Sequence, residues 1–174
     1  MRLNPTIRPA ATADAESISS LIGRVWSKHF AYSVTTEDLA DFLQTKLHPA
    51  QIALEIADPD IHFIVAVNSS QTTIGVVQLV KHTTEPGLTT LKHVEIRRLY
   101  VDDEYQGKGL ARALMVEAQE WAKAEGYGGT WLGVWEMNER AIAFYGKMGY
   151  VTQGEHVFYV GSSERRDFVM EKVL

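Results

Sequence analysis

The sequence has no cysteine, which excludes disulfide bonds, thiolate metal sites and a cysteine nucleophile. It also lacks any apolar run close to the ~18–20 residues that a membrane-spanning helix needs, and residues 1–5 lack the apolar core of a signal peptide. The metal motif H-E-x-x-H and the nucleophile motif G-x-S-x-G are absent too. We therefore expect a cytoplasmic protein with no membrane partner and no metal.

Positive charge is scarce, since 17 lysine and arginine residues stand against 22 acidic ones, for a formal net charge of −5. A nucleic-acid-binding protein usually presents a basic face, so we expect no nucleic-acid partner. The excess of acid lies in residues 31–60, which carry Glu37, Asp38, Asp41, Glu55, Asp58 and Asp60 against Lys46. These acids are either solvated helix faces or the source of a field that attracts a cationic substrate.

The 174 residues, 45% of them hydrophobic, fit a single domain over residues 1–174 with its own core. Hydrophobic periodicity predicts an α/β protein with a mixed sheet and the order β-α-α-β-β-β-α-β-α-β-β. The predicted helices cover 12–26, 35–47, 108–125 and 138–148, and the strands cover 6–9, 61–67, 73–80, 91–101, 130–135 and a final pair turning at 161–163. Pro49 can in addition open a short third helix through Ala57.

The most informative segment is 106–111, which follows the apolar run 99–101 and predicts strand, glycine-rich turn and helix. A helix start leaves about four backbone N–H groups unpaired, and Gly107 and Gly109 allow an anion to approach them. The P-loop pattern is absent, and Arg112 occupies the third position of G-x-G-x-x-G, where a dinucleotide fold needs a small residue. The pattern Q/R-x-x-G-x-G/A fits residues 106–111 instead.

A second pair of blocks supports that pattern, because residues 131–138 are WLGVWEMN and residues 141–150 are AIAFYGKMGY. With these blocks in this order, the sequence resembles the GNAT superfamily of acetyl-CoA-dependent N-acetyltransferases and is most similar to PaiA-type spermidine/spermine N-acetyltransferases. The amino-terminal third is similar to them only in its pattern of helices. The resemblance implies the GNAT fold, acetyl-CoA as co-substrate, splayed central strands and a bulge in the strand that ends at Val101.

The resemblance also implies which residues hold acetyl-CoA. Backbone groups of Leu99, Tyr100 and Val101 bind the pantetheine arm. The diphosphate is held by Gln106, Gly107, Lys108, Gly109, Leu110, Ala111 and Arg112. Asn138 bonds the pantetheine, caps the last helix, or does both, and Lys147 or Arg140 meets the 3′-phosphate. The four basic side chains among these residues are also explained as solvated helix charges.

Tyr145 is the candidate general acid, because Phe144 and Tyr145 match the family's Phe-Tyr position. Attack of an amine on a thioester expels a thiolate, which must gain a proton or be stabilised. A phenol of pKa ~10 and a thiol of pKa ~8.5 are close enough for transfer within a hydrogen bond.

Glu95 is the candidate base that accepts the proton of the amine. It lies 11 residues before Gln106, where several GNAT enzymes place a catalytic carboxylate. It is alternatively a strand carboxylate paired with Arg97 or Arg98. The remaining candidates are, in order, Glu136, a water chain, and the pair His93 and His156.

The expected acceptor is a small cationic amine, with spermidine or spermine as the leading case. A peptide N-terminus, a protein lysine, an amino acid and an aminoglycoside are alternatives. In a different class of function, the chain is a CoA-binding regulatory module with little turnover. A homodimer is the commonest assembly and is expected only on that ground.

Overall fold

The computed structural model describes residues 5–174, with only the backbone of Phe158. Five helices and seven strands follow along this part of the chain: β1 (Thr6–Pro9), α1 (Ala15–His29), α2 (Thr36–Thr45), α3 (Pro49–Ala57), β2 (Ile61–Val67), β3 (Thr73–Val80), β4 (His93–Val101), α4 (Leu110–Ala124), β5 (Gly129–Trp135), α5 (Glu139–Lys147), β6 (Val151–Val160) and β7 (Ser163–Val173). The α/β prediction is confirmed. The short third helix that Pro49 could open is present as α3, with the predicted bounds Pro49–Ala57. No helix in residues 5–174 is both long and apolar enough to span a membrane.

The seven strands form one sheet in the order β1-β2-β3-β4-β5-β7-β6, and every neighbouring pair is antiparallel except β4 and β5. The parallel pair is short, because only His93–Glu95 of β4 lie in register with Gly129–Trp131 of β5. Beyond these residues the two strands separate. The register between β3 and β4 also skips Arg97, which marks a bulge. The implied bulge and splayed strands are therefore both present.

Helices cover the sheet on both faces, because strand side chains alternate between faces and the central strands are buried on both. On one face, the α4 residues Leu114 and Ala118 pack in a cluster with Val77 and other strand residues. On the other face, Ile18 and Leu21 of α1 pack in a second cluster. The sheet is thus packed on both faces, and the gap between β4 and β5 lies in its centre.

The start of α2 is tied to the turn between β6 and β7. Thr35 caps the helix, since its hydroxyl accepts a hydrogen bond from the N–H of Asp38 at 3.1 Å. The Asp38 carboxylate does not complete a capping box. It accepts hydrogen bonds from the Ser163 hydroxyl at 2.5 Å and the Ser162 N–H at 3.0 Å. These bonds lower the pKa of Asp38 to about 2. We call this contact the Asp38 latch.

Candidate active site

Two clefts meet where β4 and β5 separate. The first, of about 500 Å³, runs along the start of α4 and is called the α4 cleft. The second, of about 530 Å³, opens toward β7 on the other side and is called the β7 cleft. Both clefts are lined by Phe30, Leu99, Tyr100, Trp135, Asn138, Ala141 and Tyr145. A molecule in one cleft therefore meets a molecule in the other at the side chain of Tyr145.

The α4 cleft presents a row of free backbone N–H groups. In the part of the chain that the structure describes, the N–H groups of residues 107–112 have no acceptor. Gly107 and Gly109 have φ angles of +72° and +84°, in the left-handed region, and Gly109 is the N-cap of α4. The segment predicted to receive a diphosphate therefore has its donors free and aligned with the helix dipole.

Gln106 connects the elements around this turn. Its amide nitrogen donates to the Val101 carbonyl at 3.1 Å and to the Asp103 carboxylate at 2.9 Å. Its amide oxygen accepts a hydrogen bond from Arg140 on α5 at 2.7 Å. Gln106 thus joins the end of β4, the turn and α5, a positioning role that its motif alone did not predict.

The remaining residues predicted to bind the co-substrate are placed differently from one another. Arg112 lines the α4 cleft. Asn138 lines both clefts and caps α5, since its side-chain oxygen accepts from the Ala141 N–H at 3.2 Å. Lys108 is exposed with its Nζ 5.5 Å from the centre of the Tyr105 ring. Lys147 is exposed near the end of α5 and does not line the α4 cleft.

Tyr145 lies at the junction, on the α5 face that packs toward the core. Its ring centre is 5.3 Å from that of Phe144 and 5.8 Å from that of Tyr150, both in edge-to-face contact. Its hydroxyl has no hydrogen-bond partner within residues 5–174, so it is free to bond a ligand. Desolvation raises the pKa of Tyr145 well above its ordinary value of 10, so the phenol carries its proton at neutral pH.

The Glu95 carboxylate lines the β7 cleft and is engaged by a neighbour. Arg97, the bulged residue of β4, donates to its two oxygens at 3.2 Å and 2.7 Å. The ion pair with Arg97, which the sequence offered as the alternative to a catalytic role for Glu95, is thus present. Glu136 lies 3.7 Å from Arg166 and does not line this cleft.

The two histidines ranked last among the candidate bases are also placed. His93 contacts Thr90 and Thr84, away from both clefts. His156 lines the β7 cleft, with its Nδ1 3.3 Å from the carboxylate of Glu85.

Charges in the β7 cleft are balanced. Its lining contains four acids and four bases, namely Asp41, Glu55, Glu95, Asp167, Lys46, Arg97, Arg98 and Arg165. Only two of the six acids from residues 31–60 are among them. Asp38 forms the latch, Asp58 accepts from a turn N–H, Asp60 lies 3.3 Å from His82, and Glu37 is exposed. The acidic segment therefore does not concentrate in this cleft.

The sequence did not reveal the strongest feature of the β7 cleft, which is a buried arginine among aromatic rings. The Arg165 guanidinium carbon lies 4.3 Å from the ring centre of Trp135 and 5.2 Å from that of Trp26. The Trp26 indole donates to the Tyr100 hydroxyl at 3.1 Å, so this strand residue also faces the β7 cleft. Arg165 is an unmarked basic residue in a strand, and no local pattern distinguishes it.

The mouth of the α4 cleft carries exposed apolar side chains. Tyr32 and Met137 line the cleft with 77% and 66% of their surface exposed, respectively. No cluster of three or more histidine, aspartate or glutamate side chains suited to a metal occurs among the residues that the structure describes. What the site offers is backbone donors, a protonated phenol, and carboxylates and cations in the β7 cleft.

Comparisons with known proteins agree with this geometry. The sequence profile of the acetyltransferase (GNAT) family matches residues 26–150. An uncharacterized N-acetyltransferase of Lactobacillus delbrueckii subsp. lactis is 30% identical over 145 residues, or 83% of each chain. A spermidine N(1)-acetyltransferase of Thermoplasma acidophilum is 26% identical over 170 residues, or 95% of each. The crystal structure of the PaiA N-acetyltransferase from Thermoplasma acidophilum in complex with coenzyme A has a TM-score of 0.77 and 25% identity, over 99% of this chain and 100% of that one.

Proposed function

The chain belongs to the acetyltransferase (GNAT) family and is an N-acetyltransferase, and we propose that it transfers the acetyl group of acetyl-CoA to a primary amine. In this proposal the two substrates are bound together, acetyl-CoA in the α4 cleft and the amine in the β7 cleft. The observation that carries it is the row of unpaired N–H groups in residues 107–112, at one end of a cleft that leads to Tyr145. The family membership and the predicted GNAT fold support each other.

The α4 cleft suits the chemical groups of acetyl-CoA. The free N–H groups and Arg112 would receive the diphosphate. The pantetheine arm carries amides, and the half of β4 that has left β5 offers unpaired backbone edges at Leu99 and Val101 for them. Asn138, at the junction, would bond the last part of the arm. These contacts would leave the thioester beside the Tyr145 hydroxyl.

Tyr145 would act as the general acid. As the amine nitrogen bonds to the thioester carbonyl carbon, the carbon–sulfur bond breaks and the sulfur leaves with the bonding electrons. The phenol donates its hydrogen to this sulfur. The phenol is protonated over the whole neutral range. Its raised pKa widens the gap to the thiol pKa of ~8.5, so the transfer depends on a direct hydrogen bond to the departing sulfur, for which the Tyr145 hydroxyl is free. Glu95 stays a prediction for the base, and its ion pair with Arg97 equally suits a role in holding the bulge.

Spermidine or spermine is the first acceptor to test. The named spermidine acetyltransferase among the relatives supports this choice, as do the aromatic rings of Phe30 and Trp135 at the junction, which can contact both alkyl chains and ammonium groups. The balanced charge of the β7 cleft lining argues against an exclusively cationic acceptor. We therefore rank a polyamine first within a broader class of small primary amines.

The experiment is an acceptor screen with purified protein and acetyl-CoA, in which the release of free thiol is measured. Spermidine, spermine, lysine, glycylglycine and an aminoglycoside are each supplied, and acetyl-CoA binding is measured separately by calorimetry. Thiol release that depends on a polyamine supports the full proposal, and release only with another amine overturns the acceptor. Tight binding without release in any arm would favour the regulatory function.

A further inference from the structure

One acidic side chain of the β7 cleft has no partner. Of the four acids there, Glu55 and Glu95 are held by Arg98 and Arg97, each at 2.7 Å, and Asp41 is exposed. Asp167 is half-buried, forms no ion pair, and accepts no hydrogen bond within residues 5–174. One of its oxygens, Oδ1, is fully shielded by the protein as well. An unpartnered carboxylate at the wall of a cleft is costly to maintain and calls for an explanation.

The surroundings of Asp167 direct its carboxylate to the cleft. In the sheet it lies between Trp135 of β5 and His156 of β6. Gly133 is the exposed residue of an otherwise largely buried strand, and a Cβ added there would lie 3.3 Å from Oδ2 of Asp167. The absence of a side chain at this position therefore leaves the approach to the carboxylate open.

The nearest cation does not neutralise this carboxylate. Arg165 precedes Asp167 by two residues on the same face of β7, but its guanidinium is held by the rings of Trp26 and Trp135. No ion pair between Arg165 and Asp167 is formed in the described structure. The arginine supplies positive charge at a distance and leaves Oδ2, the oxygen that is not shielded by the protein, unpaired and open to a ligand.

We propose that Asp167 binds the acceptor amine and accepts its proton during acetyl transfer. This inference rests on the proposed function, because it assigns a residue to the amine side of the same reaction. Tyr145 lines the same cleft, so an amine bound at Asp167 has a path to the junction. The contrast with Glu95 is one of availability, since Arg97 already occupies both Glu95 oxygens.

The protons balance in this scheme. The ammonium gives one proton to the Asp167 carboxylate, and the neutral nitrogen attacks the carbonyl carbon. The carbon–sulfur bond breaks, Tyr145 protonates the sulfur, and the second nitrogen proton restores the phenol. Asp167 then releases its proton to water. Burial raises the pKa of Asp167 above the ordinary 3.8. The difference between this pKa and that of the amine, ~10.4, becomes smaller, which makes proton transfer to Asp167 easier.

The test compares Asp167→Asn with Glu95→Gln, using the amine that gives the most thiol release in the screen. For Asp167→Asn at pH 7 we expect kcat/KM for the amine to fall about 10²-fold, with the acetyl-CoA dissociation constant unchanged. Asp167→Glu should restore part of this loss. The melting temperature of Asp167→Asn should be equal to or above that of the native protein, because no hydrogen bond is lost.

The pH profile separates a proton acceptor from a residue that only shapes the cleft. In the native protein, kcat/KM should show an additional decrease at acid pH as Asp167 is protonated, and Asp167→Asn should lack it. The charged groups that face Asp167 are Arg165 on β7, His156 on β6 and Glu136 after β5. His156→Gln leaves the Asp167 carboxylate in place, so this variant should retain the decrease of kcat/KM at acid pH, which we call the acid limb. Glu155→Gln, an exposed carboxylate outside the cleft, is the matched control and should change nothing.

Each outcome decides the matter. An Asp167→Asn variant within twofold of native kcat/KM overturns the proposal, and a large loss in Glu95→Gln alone returns the role to Glu95. A loss in Asp167→Asn with an unchanged acid limb also overturns it, because the residue would then only shape the cleft. If the native protein releases no thiol with any amine, the proposed function fails together with this inference.

Discussion

The two clefts are built from opposite materials. The α4 cleft presents unpaired main-chain N–H groups from one continuous segment, residues 107–112. The β7 cleft is lined by side chains from helices α1, α2, α3 and α5 and from strands β4 to β7, which meet only in the folded protein. A substitution changes the side chain and leaves the main-chain N–H group in place. It therefore alters the lining of the β7 cleft more than it alters the donors of the α4 cleft. Under the proposed function, binding of acetyl-CoA therefore depends mainly on backbone geometry, whereas binding of the amine depends on which side chains line the β7 cleft.

The largest expected effect comes from Tyr145, which belongs to both clefts. Tyr145→Phe should lower kcat by about 10²–10⁴-fold, because the departing sulfur loses its proton donor. The dissociation constant of acetyl-CoA should stay within twofold, as measured by calorimetry. An unchanged kcat would exclude Tyr145 as the acid. A parallel loss of acetyl-CoA binding would show that the two clefts cannot be separated at this residue.

A substitution in the α4 cleft should affect only the co-substrate. Gly109→Val places a branched side chain at φ +84°, where a left-handed conformation costs about 1–2 kcal/mol for a residue with a Cβ. The turn must then distort, and we expect the acetyl-CoA dissociation constant to rise about tenfold. Gly146→Ala on α5, where a Cβ meets no atom within 4 Å, is the control and should leave binding unchanged. A higher KM for the amine in Gly109→Val would contradict the assignment of acetyl-CoA to the α4 cleft and of the amine to the β7 cleft.

The Asp38 latch should matter only to the β7 cleft, because α2 lines that cleft through Asp41 and Phe42. Asp38→Ala frees the helix start from the β6–β7 turn, and we expect the amine KM to rise about two- to fivefold with acetyl-CoA binding intact. With a pKa of about 2, the latch stays ionised above pH 5, so this ratio should not change between pH 5 and 9. Glu37→Ala, an exposed acid on the same turn, should have no effect.

The smallest difference between the clefts is expected from Glu171, which lines neither of them and holds the segment before β4 against β7. The backbone and hydroxyl groups of Thr89 and Thr90 donate four hydrogen bonds to its carboxylate. Although burial raises its pKa, these bonds hold it at about 2, below the ordinary 4.5. Glu171 therefore contributes stability above pH 4.5 that is lost as the pH falls toward 2.

Glu171→Gln should accordingly lower the free energy of unfolding by about 1–3 kcal/mol at pH 7 and leave less acid dependence between pH 4.5 and 2. Thermal unfolding at a series of pH values measures both changes. Acetyl-CoA and amine binding at pH 7 should be unaltered, and Glu120→Gln, an exposed residue of α4, serves as the control. Selective loss of binding in one cleft would show that the sheet does not support the two sides equally.

The fold and the family were predicted from the sequence, and the turn at residues 106–111 was singled out by it, because these signals are local. Residues 106–111 form one continuous pattern, and a backbone site needs little more than glycines at the correct spacing. The strands β2 and β3 were predicted at their observed bounds, since each has turn residues at its ends. The enzyme class and the mixed sheet were predicted and are confirmed.

The β7 cleft was predicted poorly for the complementary reason. Asp167 and Arg165 acquire their properties from Trp135, Trp26 and Gly133, which lie about 30 to 140 positions away in the sequence. The carboxylate of Asp38, at the start of α2, bonds a turn more than 120 residues later. No short window of sequence contains both partners of such a contact. The role of Glu95 stays a prediction, since the sequence offered an ion pair and a base and the structure contains the pair.

The position of β7 between β5 and β6 has a consequence for how the protein is made. During synthesis, β6 leaves the ribosome before β7, yet β7 is its partner in the sheet. Strand β6 and the edge of β5 that faces away from β4 therefore stay unpaired until β7 has been synthesised. The Asp38 latch likewise forms only after the β6–β7 turn has been synthesised, because its partners are Ser162 and Ser163. The nascent chain can form the α4 cleft early, but it completes the β7 cleft only after β7 has emerged.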